Sequence, residues 1–167
     1  MTPIHKVIYK KDKKIKPVWL MRQAGRYLPE FRKLRKLNND FIGLCLNKKK
    51  VKEITLQPLK RFNLDAAIIF SDILMVPYGL SQNVYFKKNY GPILGDINLD
   101  YLSKISQKNF TLKLNPVYES LKILKKNKLL VNKDLIGFVG GPWTILVYML
   151  NKKSPKTSLN EFFKDKK

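Results

Sequence analysis

Two arginines stand four residues apart in the run Pro17-Val-Trp-Leu-Met-Arg-Gln-Ala-Gly-Arg26, directly after a short apolar stretch. The guanidinium of Arg22 or Arg26 is a planar fork. It takes a carboxylate or phosphate in two parallel hydrogen bonds and stays charged at any working pH. The pair reads as a site for an anion with several negative groups. A carboxylate, Asp72, follows a second apolar run, Ala66-Ala-Ile-Ile-Phe70, and two glycines, Gly140 and Gly141, follow a third, Leu135 to Val139. Arginines facing Asp72 have two readings. They form a salt-bridge cluster that serves only the fold, or an electrostatic site for a substrate with anionic arms and a donor-rich centre, at which Asp72 accepts hydrogen bonds or stabilises a cation. Spacing alone leaves both open.

These residues share a setting only if the runs before them are strands. Pro17 to Met21 alternates and carries β-formers, so it reads as a strand. Ala66 to Phe70 and Leu135 to Val139 are continuous apolar runs, the pattern of strands buried on both faces of a parallel sheet. Ligands of α/β proteins gather at the carboxyl ends of such strands, which is where all three polar groups fall. Helices fill the gaps. Pro29 and Glu30 suit a first helical turn, with Phe31, Leu34 and Leu37 as its apolar stripe. Phe41 to Leu46 forms a short helix or turn. Val51, Ile54, Thr55, Pro58 and Phe62 share one face of a helix from about Lys48 to Phe62; Pro58 is expected to kink it or end its ladder, and Asn63 to close it in the left-handed conformation. Residues 73–100, punctuated by proline and glycine around Val84-Tyr-Phe86, read as a hairpin-like excursion. A basic helical region follows to about Asn127. A last helix starts at Pro142 with Trp143, Val147 and Leu150 as anchors, and 152–167 is polar. Residues 1–16 form a basic lead-in, in which His5 is expected to be solvated, and 17–167 the domain proper. Buried strands alternating with helices define a parallel α/β fold.

The chain has 167 residues, 44% hydrophobic content and a formal net charge of +22. Such charge raises the question of nucleic acid. Three features argue against it. The excess is almost all lysine, since arginine occurs only at 22, 26, 32, 35 and 61. The lysines are spread along the whole length. Lysine, asparagine and isoleucine abound together while alanine is confined to 24, 66 and 67, the pattern of A/T-rich codons on a solvated surface. No apolar stretch approaches the roughly 18 residues a membrane helix needs, and the polar start carries no secretory signal. Cys45 is the single cysteine, so no disulfide framework and no cysteine metal cluster is expected, and a cytoplasmic location is the simplest. Cys45 and Trp19 read as packing residues.

Met21-Arg-Gln-Ala-Gly-Arg-Tyr-Leu-Pro-Glu30, Thr55-Leu-Gln-Pro58, Asp65-Ala-Ala-Ile-Ile-Phe-Ser-Asp-Ile-Leu74 and Gly137-Phe-Val-Gly-Gly-Pro-Trp-Thr144 with Tyr148 together resemble the uroporphyrinogen decarboxylase family, in order and spacing from about Pro17 to Leu150. The resemblance implies a TIM-type (β/α)₈ barrel, a homodimer, no cofactor, no metal, and removal of the carboxyl groups of four acetate side chains of uroporphyrinogen III to give coproporphyrinogen III. It implies Asp72 at the pyrrole N–H groups, Arg22 and Arg26 on substrate carboxylates with Arg22 also on the proton path, Gln23, Ala24 and Gly25 supplying backbone donors and room, and Tyr148 donating its hydroxyl. After Thr144 and Met149 the chain departs from the family pattern. A closed barrel takes roughly 250 residues, so the sequence predicts an incomplete barrel of about three strands with a hairpin-like insertion: the N-terminal part of such an enzyme, inactive alone. Two other readings are a cobalamin-dependent methyltransferase-like relative on the same fold and a non-catalytic basic binding module.

Overall fold

A computed structural model describes residues 1–87 and 89–154. The polar stretch expected over 152–167 lies outside the described residues from 155 onward. Helices α1 (Pro3–Lys10), α2 (Pro29–Lys36), α3 (Phe41–Leu46) and α4 (Lys48–Arg61) lead into strand β1 (Ala66–Ile68). Helix α5 (Met75–Gly79) and a hairpin of β2 (Val84–Lys87) and β3 (Gly91–Leu94) follow. Helices α6 (Leu99–Lys104), α7 (Gln107–Lys113) and α8 (Asn115–Lys125) then return the chain to β4 (Asp134–Ile136), and α9 (Pro142–Asn151) leaves it.

β1 and β4 pair in parallel with Ala66 opposite Asp134 and Ile68 opposite Ile136. A parallel pair demands a long crossover, and the 73–133 excursion supplies it. β2 and β3 pair antiparallel, Val84 opposite Leu94. Gly91 at the hairpin has φ +87°, a conformation glycine adopts without steric cost. The architecture is mixed α/β; among the described residues the strands form two two-stranded sheets and no closed barrel.

The main core forms where α4 meets α8, α3 and β1. Asn47 opens α4 by accepting the Lys50 N–H at 3.1 Å. Val51, Ile54, Thr55 and Pro58 then turn one face inward at helical spacing and are buried. Pro58 does not end α4, which runs on to Arg61; its ring is buried and its carbonyl accepts the Phe62 N–H at 2.9 Å. Phe62 and Asn63 depart from expectation. Phe62 is extended (φ −127°) and exposed, and Asn63 is not left-handed. The chain straightens at once to enter β1, which leaves no room for a helical cap. Leu37 likewise falls past the end of α2 and is exposed.

Further expectations change. Residues 17–21 are not a strand, although they lie beside the start of β1. Val18 N–H donates to Asp65 Oδ2 at 2.7 Å, and Asp65 N–H donates to the Val18 carbonyl at 2.8 Å. No ladder continues, because the Gln23 side chain occupies the next positions on that edge. Val18, Trp19, Leu20 and Met21 are exposed, so Trp19 does not pack in the core. The third strand stops at Ile136, and Phe138 and Val139 are exposed; among the described residues no strand other than β1 pairs with β4. The lead-in carries α1, and His5, exposed as expected, also meets Asp134 Oδ1 through Nδ1 at 2.7 Å, tying α1 to the start of β4. On α9 the buried side chains are Ile145, Val147 and Met149, whereas Trp143 and Leu150 are exposed.

Ile54 is fully buried between α4 and its neighbours. Ile54→Ala should lower unfolding stability by about 2–5 kcal/mol, measured as a fall in the denaturant midpoint at unchanged slope.

Candidate active site at the strand ends

Gln23 is 2% exposed. Its Nε2 donates to the Ala66 carbonyl at 2.8 Å, and its Oε1 accepts the Ile68 N–H at 2.9 Å. The loop that carries Arg22 and Arg26 is thereby fastened to β1. On its far side Tyr27 Oη donates to the Gln23 carbonyl, and Arg32 Nη1 donates to the Arg26 carbonyl at 3.0 Å. Arg22 and Arg26 are exposed, and neither forms an ion pair with Asp72 or any other acid among the described residues. The salt-bridge reading of this cluster therefore fails. Ala24 packs against the main core, and Gly25 turns the chain so that its carbonyl accepts the Leu28 N–H at 3.0 Å.

The end of β1 is held rigidly. Thr55 Oγ1 on α4 accepts the Phe70 N–H at 2.9 Å. The Phe70 ring meets Phe31 and Phe41 edge-on, at centroid distances of 5.8 and 5.7 Å, a favoured aromatic geometry. Two residues on, Asp72 Oδ1 accepts the Leu74 N–H at 2.8 Å. Burial pushes the Asp72 carboxyl above the ordinary carboxylate range, and the Leu74 N–H only partly opposes this. Cys45 is buried, which pushes its thiol far up, and the nearby Asp72 charge adds to the shift. A carboxylate kept in a poorly solvated place without a cationic partner is the electrostatic profile of a functional group.

The end of β4 comes up beside Asp72. A Cβ on Gly140 would lie 2.5 Å from Ile145 Cδ1 and 3.1 Å from Ile73 Cβ, so glycine is what lets the β4 end approach the residue after Asp72. Tyr148 is half-buried in a second cluster built on Leu74, Leu94, Ile145 and Met149, with Ile73 packed against it. Its hydroxyl lies 3.3 Å from Ser154 Oγ. The structure thus unites Asp72, Gly140 and the Tyr148 helix through Ile73, and joins the Arg22–Arg26 loop to the same strand through Gln23. Thr55 is a functional support that the spacing of charged residues does not point to. Its signal was a hydroxyl on the buried face of an otherwise apolar helix. A recess of about 180 Å³, lined by Leu80, Gln82, Tyr101 and Met149 among others, lies beside the hairpin; it is smaller than the roughly 300–1,000 Å³ of ordinary ligand sites.

A parallel strand pair with a half-buried carboxylate just past the end of β1, and two unneutralised arginines on a loop fastened to that strand, define a mixed α/β protein with a candidate site at the strand end. The chain belongs to the uroporphyrinogen decarboxylase family: the family description, "Uroporphyrinogen decarboxylase (URO-D)", matches residues 1–167. It is 48% identical over 150 residues to a uroporphyrinogen decarboxylase of Campylobacter jejuni (strain NCTC 11168), covering 89% of this chain and 44% of the relative. Similar relatives, with the same name, are those of Orientia tsutsugamushi (48% over 158 residues, 94% of this chain and 45% of the relative) and Rickettsia rickettsii (47% over 153 residues, 90% and 44%). The chain spans about half the length of the curated relatives it matches. The match includes the N-terminal lead-in.

Two outcomes follow. With its carboxyl pKa raised on folding, Asp72 binds its proton more tightly in the folded chain than in the unfolded one, so its contribution to stability falls as pH rises from the ordinary carboxylate range through the raised value. Asp72→Asn, which keeps an oxygen for the Leu74 N–H, should stabilise the chain at neutral pH and flatten that part of the stability–pH curve. Thr55→Val leaves the Phe70 N–H unpaired in the core and should cost about 1–3 kcal/mol, with Phe70 amide exchange accelerated.

Proposed function

We propose that this chain contributes the Arg22–Arg26, Asp72 and Tyr148 portion of the active site of a uroporphyrinogen decarboxylase, on the first part of a TIM-type barrel. The observation that carries this reading is the combination of a half-buried carboxylate, raised by desolvation and free of ion pairs among the described residues, with two exposed arginines on a loop anchored to the same strand. Uroporphyrinogen III has the matching chemistry: carboxylate arms around a ring of pyrrole N–H donors.

Decarboxylation needs an electron sink. Protonation of a pyrrole carbon makes the ring cationic. The acetate C–C bond then breaks, carbon dioxide leaves, and its bonding electrons neutralise the ring; a proton added at the methylene carbon completes a methyl group, and the proton first placed on the ring carbon leaves to restore the pyrrole. Asp72 accepts the pyrrole N–H groups and stabilises the cation. Those N–H donors favour its ionised form, which offsets the desolvation that raises it. Arg22 and Arg26 hold acetate or propionate carboxylates in bidentate fashion. Arg22 also lies on the proton path, where it orders the proton-carrying group rather than acting as acid, since a guanidinium gives up no proton at neutral pH. The backbone of Gln23, Ala24 and Gly25 borders the macrocycle, and the Tyr148 hydroxyl donates to a substrate carboxylate. No cofactor or metal takes part, and the working enzyme is a cytoplasmic homodimer that binds neither nucleic acid nor membrane. Among the described residues no helix is long and apolar enough to cross a membrane.

The test is a chimaera in which residues 1–154 are followed by the matching C-terminal part of the Campylobacter jejuni relative. It should convert uroporphyrinogen III to coproporphyrinogen III, and Asp72→Asn in it should lower kcat about 10²–10³-fold. A folded chimaera without activity, or one indifferent to Asp72→Asn, overturns the proposal.

A further inference from the structure

We infer that Gln23 is a positioning residue: its side chain acts as a surrogate rung of the β-sheet and sets where Arg22 and Arg26 stand over the end of β1. This rests on the porphyrinogen reading of the site given above. The ladder with β4 uses alternate residues of β1. Asp134 N–H donates to the Asp65 carbonyl at 2.9 Å and Ile69 N–H donates to the Ile136 carbonyl at 3.0 Å. The groups of Ala66 and Ile68 therefore face the opposite edge. There the Gln23 amide meets both, Nε2 on the Ala66 carbonyl and Oε1 on the Ile68 N–H. A primary amide carries the donor and acceptor of one peptide unit, so a side chain here does what the backbone of a neighbouring strand would do.

The substitution has a reason in the chain's path. A regular strand through 17–23 would point alternate side chains to opposite faces of the sheet. By ending its backbone pairing at Val18 and handing the edge to a side chain, the chain frees the backbone from Met21 onward to turn. Both arginines can then be exposed on either side of a residue that is 2% exposed. Their own side chains have no ion-pair partner among the described residues, so their placement depends on the backbone. Few residues replace Gln23. Methionine fills the space with neither hydrogen bond, asparagine is one methylene short, and ionised glutamate turns an acceptor toward the Ala66 carbonyl. Protonated glutamate, however, has one O–H donor and one carbonyl acceptor at the right reach.

The full 167-residue chain, with Q23M and Q23E, provides the test, using uroporphyrin, an octacarboxylate porphyrin, as probe. Q23M leaves the net charge at +22, so nonspecific attraction is common to it and the wild type. Its porphyrin affinity should fall about tenfold, and the Ile68 amide should lose its protection from exchange. Q23E should bind as weakly as Q23M at neutral pH, then recover toward wild type as the pH is lowered and the buried carboxyl takes its proton. Q23M, compared with wild type at each pH, should show no such recovery. A role in shape alone predicts no pH dependence in Q23E. Wild-type affinity in Q23M, or a Q23E-to-wild-type ratio that does not move with pH, overturns the inference. Undiminished Ile68 protection in Q23M overturns the clamp itself. A wild-type chain that takes up no porphyrin, while Ile68 keeps its Gln23-dependent protection, overturns instead the porphyrinogen reading of the site.

Discussion

Strand β1 is the element on which everything else leans, and it is held along both edges by different means. On one side it shares a parallel backbone ladder with β4; on the other the Gln23 amide completes it. Its faces are closed by α4 and the aromatic cluster around Phe70. A three-residue strand is too short to persist on its own hydrogen bonds. It persists here because Ala66 and Ala67 are fully buried and both of its edges are hydrogen-bonded, to β4 on one side and to the Gln23 amide on the other. The polar residues placed just beyond it inherit that rigidity.

Asp72 illustrates how a fold can hold a group at a disadvantage. Its neighbours on the chain, Phe70 and Leu74, are anchored in two different hydrophobic clusters, which hold the half-buried carboxyl between them largely out of water. Partial burial without an ionic partner is unfavourable for a carboxylate, and Asp72 bears it with no ion pair among the described residues. Under the reaction proposed above, preorganisation of this kind trades stability for a field that a cationic intermediate meets already in place.

Much of this was legible in the residues. The helical period of Val51, Ile54, Thr55 and Pro58, the continuous apolar run at 66–70 and the glycine-marked hairpin all appear where expected, because burial pattern and turn chemistry there agree. The family resemblance, carried on four separated segments, extends through the whole chain. What was not legible depends on tertiary partners. Pro17 to Met21 has strand composition, but whether it pairs is decided by Gln23, a polar residue whose destination no local pattern reveals. Trp143, Val147 and Leu150 fit an apolar stripe of α9, yet of these only Val147 is buried, beside Ile145 and Met149. His5, in a lysine-rich lead-in, finds Asp134 across 129 residues of chain, a contact invisible to any window.

Cys45 adds a practical consequence. It is the chain's single cysteine, 1% exposed, and lies close enough to Asp72 for that charge to influence it. Only a thiolate reacts with alkylating reagents at speed, and this one is shielded from both solvent and ionisation while the core is shut. Its rate of modification therefore meters how often the region beneath the site opens. The molecule carries its own gauge of local unfolding, placed where the floor of the site is built.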